Sequence, residues 1–190
     1  MMAEPRAKTL QEKMGFLDED LKRPDHDTIL LAVQEHVDVI VKSYLPPTTP
    51  EWPSQLLEDL QSAGVRSFPA NPRFQIDSII WEQPILSGKY IVGFIDMLIT
   101  WVDYSLDLSS TSSGEPVAML VEDSAHYLAI EVKTQIRSLG ELVRQLRMYE
   151  QYRRGSYCVV SPDGRYSKQL REQGFGFVRY VGGATPLVVD

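Results

Sequence analysis

Cysteine is the scarcest chemistry-bearing residue of this sequence, with Cys158 the single one among 190 residues. One thiol excludes an internal disulfide, a zinc site made of cysteines alone and an iron–sulfur cluster held by the chain's own thiolates. The chain also lacks an apolar run approaching the ~20 residues that span a bilayer. Its N-terminus, MMAEPRAKTLQEKMGF, lacks the apolar core of a secretory signal. We therefore expect a cytoplasmic protein with no iron–sulfur cluster and no membrane association.

The composition is that of one globular domain. Hydrophobic residues make up 43% of the chain, enough to bury a core at this length. Residues 1–24 are polar and predict a partly ordered lead-in. We expect a single domain over residues 25–190, with N-terminal helices within 28–63 and a core of strands and helices over about 74–181.

Positive charge is scarce overall but concentrated toward the C-terminus. The formal net charge of -7 argues against a general nucleic-acid coat protein. Residues 131–180, however, carry ten Lys/Arg against five Asp/Glu, a local balance of +5. This basic half is suited to follow a phosphate backbone, although arginines on helices also serve simply to solvate a surface. Its candidates for contact with a nucleic acid are Arg137, Arg144 and Arg147.

Helical periodicity dominates the N-terminal part. Asp27 is placed to cap a helix from Thr28 to about Leu45, and a second helix is expected from Ser54 to Ala63. On a helical wheel His36 falls at the margin of the apolar stripe. It is the candidate to approach a functional site, although a histidine at the edge of a core is the more common case.

From Phe74 onward the pattern changes to strands. Two apolar runs flank the turn signal Ser87-Gly88-Lys89 and predict an antiparallel hairpin. A Ser-rich loop follows at 103–115, either a flap that contacts substrate or a tolerated insertion. The expected strands are Ile76–Ile85, Tyr90–Trp101, a short one over Val117–Val121, and Tyr127–Thr134 after a turn at 122–124.

Beyond these strands, Ser138 and Glu141 fit a capping box, which starts a helix and stabilises it by ~1 kcal/mol. Gln145 and Tyr149 lie four residues apart on one side of this helix, and Arg144 and Arg147 point elsewhere. The remaining predictions are a strand at 157–160, a basic helix at about 166–173 and a last strand at about 175–181.

Four charged residues interrupt the apolar strands. Glu131 and Lys133 alternate onto one face of their strand, and Glu82 and Asp96 lie among large apolar residues of the hairpin. Burying charges is costly unless each has a partner or a metal. If Glu131 and Lys133 are considered without their neighbours, a salt bridge on an exposed face explains them. Asp96 nearby favours a functional site instead.

Together these residues suit metal-assisted phosphodiester hydrolysis. Carboxylate oxygens are the ligands that Mg²⁺ and Mn²⁺ prefer, so Asp96 and Glu131 would hold the ion, with the Val132 carbonyl as a third ligand. Glu82 would orient a metal-bound water or bind a second cation. Lys133 would orient or deprotonate the water and offset negative charge on the phosphate.

The residues that carry this chemistry resemble a known family. The segments are Gly93-Phe94-Ile95-Asp96, Ala129-Ile130-Glu131-Val132-Lys133 and Gln145-Leu146-Arg147-Met148-Tyr149. They are similar to the motifs of the PD-(D/E)xK nuclease superfamily, and the last one, Q-x-x-x-Y, resembles the branch of RecB nuclease domains, lambda-type exonuclease and Cas4 proteins. The iron–sulfur cysteines of Cas4-type members are absent.

The resemblance implies an α/β fold with a restriction-endonuclease-like core, in which helices flank a central mixed sheet in the order α-β-β-β-α-β. It implies that Asp96 and Glu131 bind Mg²⁺ or Mn²⁺, that Lys133 is catalytic, and that Gln145 and Tyr149 support the site or touch substrate. His36 is a candidate for the upstream histidine that some members carry.

The function implied is a DNA nuclease, an exonuclease rather than an endonuclease, with RNA the less favoured substrate. A homo-oligomer or a partner protein is compatible with this family. Two other functions stay open: a nuclease fold that binds DNA or assembles a complex without cutting, and a regulatory partner in a phage or defence complex. A restriction-type endonuclease or junction cleaver would use the same core.

Overall fold

The computed structural model describes residues 13–14, 24–44, 52, 54–68 and 74–189. Most of the predicted lead-in at 1–24, and Leu45 at the end of the first predicted helix, lie outside these residues.

A six-stranded mixed sheet forms the centre of the protein. Its strands pair in chain order. The first three are antiparallel, the third, fourth and fifth run parallel to one another, and the sixth is antiparallel to the fifth. The strands are β1 (Phe74–Ser87), β2 (Tyr90–Ser110), β3 (Pro116–Val132), β4 (Ser156–Ser161), β5 (Gly176–Tyr180) and β6 (Leu187–Val189).

Helices cover both faces of the sheet. They are α1 (Pro24–Glu35), α2 (Val37–Tyr44), α3 (Ser54–Ser62), α4 (Leu139–Tyr152) and α5 (Ser167–Glu172), with a 3₁₀ turn at Gly164–Tyr166. Parallel strands need a crossover connection. Here α4 connects β3 to β4, and α5 connects β4 to β5. None of the helices described is long and apolar enough to cross a membrane.

Two buried clusters hold the layers together. One packs α1 and α2 on the sheet through residues such as Ile29, Val33, Ile99 and Leu128. The other packs α4 and α5 on the opposite face through Leu142, Leu146 and Leu170, among others. The protein is therefore an α/β fold whose central mixed sheet lies between helices. This confirms the fold class that the sequence predicts.

The β2–β3 hairpin is much longer than the sequence predicts. The expected Ser-rich loop at 103–115 is wrong, because β2 continues to Ser110 and pairs there with Pro116. The expected turn at 122–124 is also strand. The register shifts there, so that Asp103 pairs with Ser124 but Tyr104 pairs with Glu122, which leaves Asp123 as a bulge. The segment at 122–124 that the sequence predicts as a turn is thus a β-bulge within a continuous strand.

Tertiary packing explains why polar residues form this ribbon. Leu106 of β2 is buried against Leu60 of α3 and against Val65, which follows that helix. The cross-strand ladder satisfies the backbone, and α3 covers one face, so serine-rich sequence is held in strands despite its weak β propensity.

The first predicted helix is two helices. It begins at Pro24, at the first helical position, where a proline is favoured because its missing N–H is not needed. His36 lies at the junction between α1 and α2, where its carbonyl accepts a hydrogen bond of 3.1 Å from Val39 N. The predicted hairpin turn after Ser87 and the helix beginning at Ser54 are confirmed, whereas β6 was not foreseen.

Gly176 provides a test of packing between the layers. A Cβ at this position would collide with the hydroxyl of Tyr44 and would lie 3.3 Å from the Cβ of Cys158. We expect Gly176→Ala to lower the free energy of unfolding by ~1–3 kcal/mol, measured by urea denaturation. Tyr44→Phe in the same chain should restore part of the loss, because the hydroxyl is then absent.

Gly140→Ala is the matched control, since its Cβ would lie 3.8 Å from Arg144 Nη1 in ordinary contact. It should leave stability unchanged or slightly higher. Equal stability of the Gly176→Ala and wild-type proteins would contradict this packing.

Candidate functional site

Acidic residues occupy one row across three neighbouring strands. Met97 pairs with Ile130, so the next residue pair along the two strands places Asp96 opposite Glu131, just beyond the end of the ladder. On the other side of β2, the pairs Trp81–Met97 and Gln83–Ile95 place Glu82 opposite Asp96. Directly opposed residues of neighbouring strands are ~4.5–5.5 Å apart. The sheet thus places Glu82, Asp96 and Glu131 side by side, directly opposite one another on neighbouring strands.

Asp96 is fixed from two directions. It is 5% exposed, and its Oδ2 accepts a hydrogen bond of 2.8 Å from the Val132 amide. The same oxygen lies 3.5 Å from Nε2 of His26. A buried carboxylate needs such partners, because an isolated charge in a protein interior is unstable. Asp96 therefore connects β2, the end of β3 and α1.

His26 is the site residue that sequence reasoning missed. It lies in the first turn of α1 and is 1% exposed. Burial alone lowers the pKa of an imidazole, but the hydrogen bond and charge of Asp96 outweigh it and raise the pKa of His26. Pro24, typical of a first helical position, was the signal that the helix begins early enough to include His26. His36 lies ten residues further on, roughly 15 Å along the helices.

Glu131 and Lys133 form an ion pair that is largely shielded from solvent. Lys133 Nζ lies 2.9 Å from Glu131 Oε1, and the two side chains are 13% and 5% exposed. An exposed salt bridge, the alternative left open by the sequence, does not describe this pair. Buried charges add little net stability compared with apolar residues of similar volume, so stability alone does not explain their presence.

Helix α4 supplies a second contact to Glu131. Gln145 Nε2 donates to Glu131 Oε1 and to Tyr149 Oη, both at 2.8 Å. The predicted placement of Gln145 and Tyr149 on one side of the helix is confirmed. Burial and the nearby Glu131 carboxylate raise the pKa of Tyr149, which keeps its phenol protonated. Tyr149 is thus a neutral member of the cluster.

Gly93 allows Tyr149 to approach the sheet. A Cβ on Gly93 would lie 2.6 Å from Cε1 of Tyr149, closer than two carbon atoms can come without displacement. The glycine that opens the Gly93–Asp96 segment therefore has a packing role, three residues before Asp96 on the same strand.

The loop after Lys133 is hydrogen-bonded to the next crossover, which follows β4. Asp163 Oδ2 accepts from Ile136 N at 3.3 Å and from Arg165 Nη2 at 2.6 Å. Two residues later the predicted cap is present, with Ser138 Oγ accepting from Glu141 N at 3.3 Å. These contacts determine where α4 begins, and therefore where Gln145 meets Glu131.

Glu82 has an unusual backbone. Its φ is 51°, the only positive φ of a non-glycine residue among those described. This left-handed conformation costs an L-residue roughly 1–2 kcal/mol, and such strain is concentrated at functional sites. The half-buried side chain starts opposite Asp96, which places it beside the acidic row.

The three predicted substrate-binding arginines differ in their surroundings. All three are exposed. Arg147 is engaged within the protein: it pairs with Glu150 at 2.6 Å, donates to the Gln173 carbonyl and lies 4.5 Å from the centre of the Phe175 ring. Arg144 is therefore better placed than Arg147 to contact a ligand.

The residues for a metal ion are neighbours, but they are not gathered into a preformed cage. Within the described ranges, no three His, Cys, Asp or Glu side chains form a group that could hold an ion. The donor chemistry at Asp96 and Glu131 suits Mg²⁺, since both offer carboxylate oxygens. Lys133 and Gln145 both contact Glu131 Oε1, so an ion would compete with these contacts. The amide of Val132, a predicted ligand through its carbonyl, is used by Asp96.

Comparison of the chain with protein-family models, curated proteins and solved structures gave no match. The resemblance to PD-(D/E)xK nucleases therefore rests on the motif residues themselves.

Strain at Glu82 predicts that a glycine at this position gives a more stable protein than an alanine, the reverse of the usual order. We expect Glu82→Gly to be more stable than Glu82→Ala by ~1 kcal/mol, because glycine adopts a positive φ without steric cost. Urea denaturation of both variants measures the difference. At Gln83 the same pair should show the usual order, with alanine the more stable. Alanine more stable than glycine at position 82 would exclude the strained backbone.

The environment of Asp163 predicts that the folded protein loses stability in acid. Its hydrogen bond with Arg165 lowers the pKa of Asp163 to about 2. A lowered pKa in the folded state stabilises the protein above the ordinary value of 3.8, and this contribution is lost as the pH falls toward about 2. We expect Asp163→Asn to be less stable than wild type at pH 7, with the difference vanishing near pH 2 in thermal unfolding. Asp123→Asn, at the exposed bulge, is the control and should not show this convergence.

Proposed function

We propose that this protein is a divalent-metal-dependent nuclease that hydrolyses DNA phosphodiester bonds. One observation carries the proposal: Lys133, largely shielded from solvent, pairs with the buried Glu131, which stands opposite the buried Asp96 at the end of the β2–β3 ladder. Two acids and a lysine shielded from solvent at converging strand ends are costly to a fold. Clusters of this kind are more common at functional sites than elsewhere.

Each residue has a role in such a reaction. Asp96 and Glu131 would hold Mg²⁺ or Mn²⁺, which when bound supplies charge stabilisation and an activated water. The Lys133 ammonium would offset the negative charge that develops on the phosphate. Gln145 and Tyr149 are positioning residues: Gln145 donates from α4 to the Glu131 carboxylate, and the Tyr149 hydroxyl accepts from the same amide and holds it in place. His26 positions Asp96 in the same way from α1.

The fold and the charge distribution support DNA as the substrate. The mixed sheet with α4 between β3 and β4 is compatible with a restriction-endonuclease-like core. Arg137 and Arg144, exposed near the start of α4, lie on the basic half of the chain and suit phosphate contacts. By its motif resemblance we propose an exonuclease in preference to an endonuclease.

A second candidate function is a nuclease fold that binds DNA without cutting it. It is favoured by the engagement of Glu131 Oε1 with both Lys133 and Gln145. In this case Lys133 would act as a permanent counterion for Glu131, and no ion would be required.

Cleavage assays separate these functions. We expect the wild-type protein to degrade end-labelled linear DNA with Mg²⁺ or Mn²⁺ but not with chelator, and to leave closed-circular DNA intact. Lys133→Ala should lower the rate roughly hundredfold or more. Lys89→Ala, which removes an exposed lysine in the β1–β2 turn, is the matched control and should cleave at the wild-type rate.

Undiminished Mg²⁺-dependent cleavage by the Lys133→Ala protein would remove the proposed role of Lys133. Binding of DNA in chelator with no fragments under any metal condition would favour the second candidate function. Nicking of the closed-circular form would indicate an endonuclease.

A further inference from the structure

One side of β3 has no partner strand in its first half. β2 pairs with β3 from Pro116 to Ile130, whereas β4 pairs with it only from Leu128 to Val132. Among the described residues, β3 therefore pairs with β2 alone over residues 116–127. Alternate residues of an antiparallel strand direct their N–H and C=O groups away from the neighbour they pair with. This side of β3 is thus open to pairing with a further strand.

The free side closes toward the centre of the sheet. The chain returns from α4 at Tyr127, where a Cβ on Gly155 would lie 3.5 Å from the Tyr127 carbonyl oxygen. Just before this point, the rings of Trp101 and His126 stack beside a pocket, with their centres 5.2 Å apart. Residues 116–122, which precede the bulge at Asp123, remain accessible. We call them the outer edge of β3.

Apolar side chains follow the outer edge on its exposed face. Leu120 and its partner Leu106 face α3, so the neighbours of Leu120 point the opposite way. Val117, Met119 and Val121 therefore share the exposed face, and Met119 and Val121 are 51% and 44% exposed. Their partners on β2 are polar: Ser109, Asp107 and Ser105. The apolar stripe thus lies along the free edge itself.

The outer edge lacks the features that usually protect a sheet edge. Natural edge strands carry lysine, proline or bulges that prevent pairing with another chain. β1, at the border of the sheet, has Pro84 without an N–H and the left-handed Glu82. Residues 117–121, in contrast, read Val-Ala-Met-Leu-Val and contain no charge, glycine or proline. Such a composition favours pairing with an added strand.

Acidic residues lie at both ends of the stripe. Glu115 precedes it, and Glu122 and Asp123 follow it, all three exposed. The sequence holds no Lys or Arg between Lys89 and Lys133, so neither β2 nor β3 supplies a cation to offset these acids. Opposite charges on neighbouring strands attract, and like charges repel. The strand that fits this edge is therefore apolar at alternate positions and basic at both ends.

A second copy of the chain fits the outer edge poorly. Two β3 strands paired about a two-fold axis at Met119 would bring Glu115 of each copy near the Glu122–Asp123 pair of the other. Opposed carboxylates at both ends would destabilise that pairing. The formal net charge of -7 adds repulsion between copies. A basic partner is therefore favoured over self-association.

We propose that the outer edge of β3 binds an extended segment of a partner protein as an added strand. Apolar side chains of that segment would cover Met119 and Val121, and Lys or Arg at its ends would pair with Glu115 and Glu122. Its backbone would pair with the free N–H and C=O groups of β3. Val121 is ten residues before Glu131 on the same strand, roughly 30 Å away, so the acidic row stays open. This inference is independent of the proposed nuclease function.

Binding of a designed peptide tests the proposal. The probe is fluorescein-labelled Lys-Arg-Val-Thr-Val-Thr-Val-Arg-Lys, and its binding to the 190-residue chain is followed by fluorescence anisotropy. One comparison peptide has Glu and Asp in place of every Lys and Arg. Another is N-methylated through Val-Thr-Val-Thr-Val, which keeps the side chains but removes the N–H donors. We expect the basic probe to bind, and each comparison peptide to bind roughly tenfold more weakly or less tightly still.

Substitutions in β3 locate the binding. Met119→Thr and Val121→Thr remove apolar contact area but keep residues that suit a strand. Each should weaken binding of the basic probe by roughly fivefold to tenfold. Leu108→Thr is the matched control, since Leu108 is 47% exposed but lies on β2, away from the outer edge. It should bind the probe as the wild type does, and circular dichroism establishes that all variants fold.

Charge reversal tests the choice of partner. Glu122→Lys should weaken binding of the basic probe and strengthen that of the acidic peptide, because the sign of one end of the edge is changed. Equal effects on the two peptides would contradict the charge argument.

The other outcomes each overturn the proposal. Binding of the basic probe that is unchanged by N-methylation, or equal in the Met119→Thr and wild-type proteins, would exclude an added strand at this edge. Sedimentation velocity without peptide tests the second copy. A wild-type dimer that Val121→Thr dissociates would assign the edge to self-association, and a monomeric wild-type protein that does not bind the basic probe would also refute the partner proposal.

Discussion

The hydrogen bond from the Val132 amide to the Asp96 carboxylate is the contact on which the site depends. It joins β2 and β3 just beyond the last residue pair of their ladder. A carboxylate replaces a carbonyl as the acceptor, and hydrogen bonds to charged groups contribute ~1.5–3 kcal/mol. The bond satisfies a backbone donor that has left the ladder and holds a charged side chain where the strands separate. His26 adds a contact from α1, so one carboxylate connects the sheet with the helical layer.

The second constraint is the compensation of charge at the end of β3. Glu131 is buried, and its carboxylate is stabilised there because Lys133 and Gln145 both contact the same oxygen. Those contacts require α4 to begin at a defined place, which the Ser138 cap and the Asp163 contacts to the preceding loop ensure. The interactions that stabilise the charges are therefore the ones that position α4. A change in any of them would be transmitted to Glu131 without a change of sheet topology.

Local signals predicted the parts of the structure that local physics decides. The capped start of α4, the placement of Gln145 and Tyr149 on one side of it and the β1–β2 turn all follow from short-range spacing. The ribbon at 103–124 did not follow, because the pairing of its two strands and their packing against α3, a helix well before them in the chain, stabilise residues with weak strand propensity. Likewise, helical periodicity favoured His36, whereas the position of α1 over the sheet selects His26. An amphipathic pattern shows which face of a helix is buried, but not which residue of it meets a given strand.

The sequence by itself determined three features of this protein: a few charged residues placed in apolar strands, a capped helix after them, and a basic C-terminal half. Residue types and their spacing are local properties, and they are read directly from the chain. Tertiary structure alone decided that Glu82, Asp96 and Glu131 form one row, that the Glu131–Lys133 pair is largely shielded from solvent, and that Trp101 and His126 stack beside a pocket. Strand register and helix docking bring distant residues together, and both depend on the packing of the whole core, which no short stretch of sequence contains.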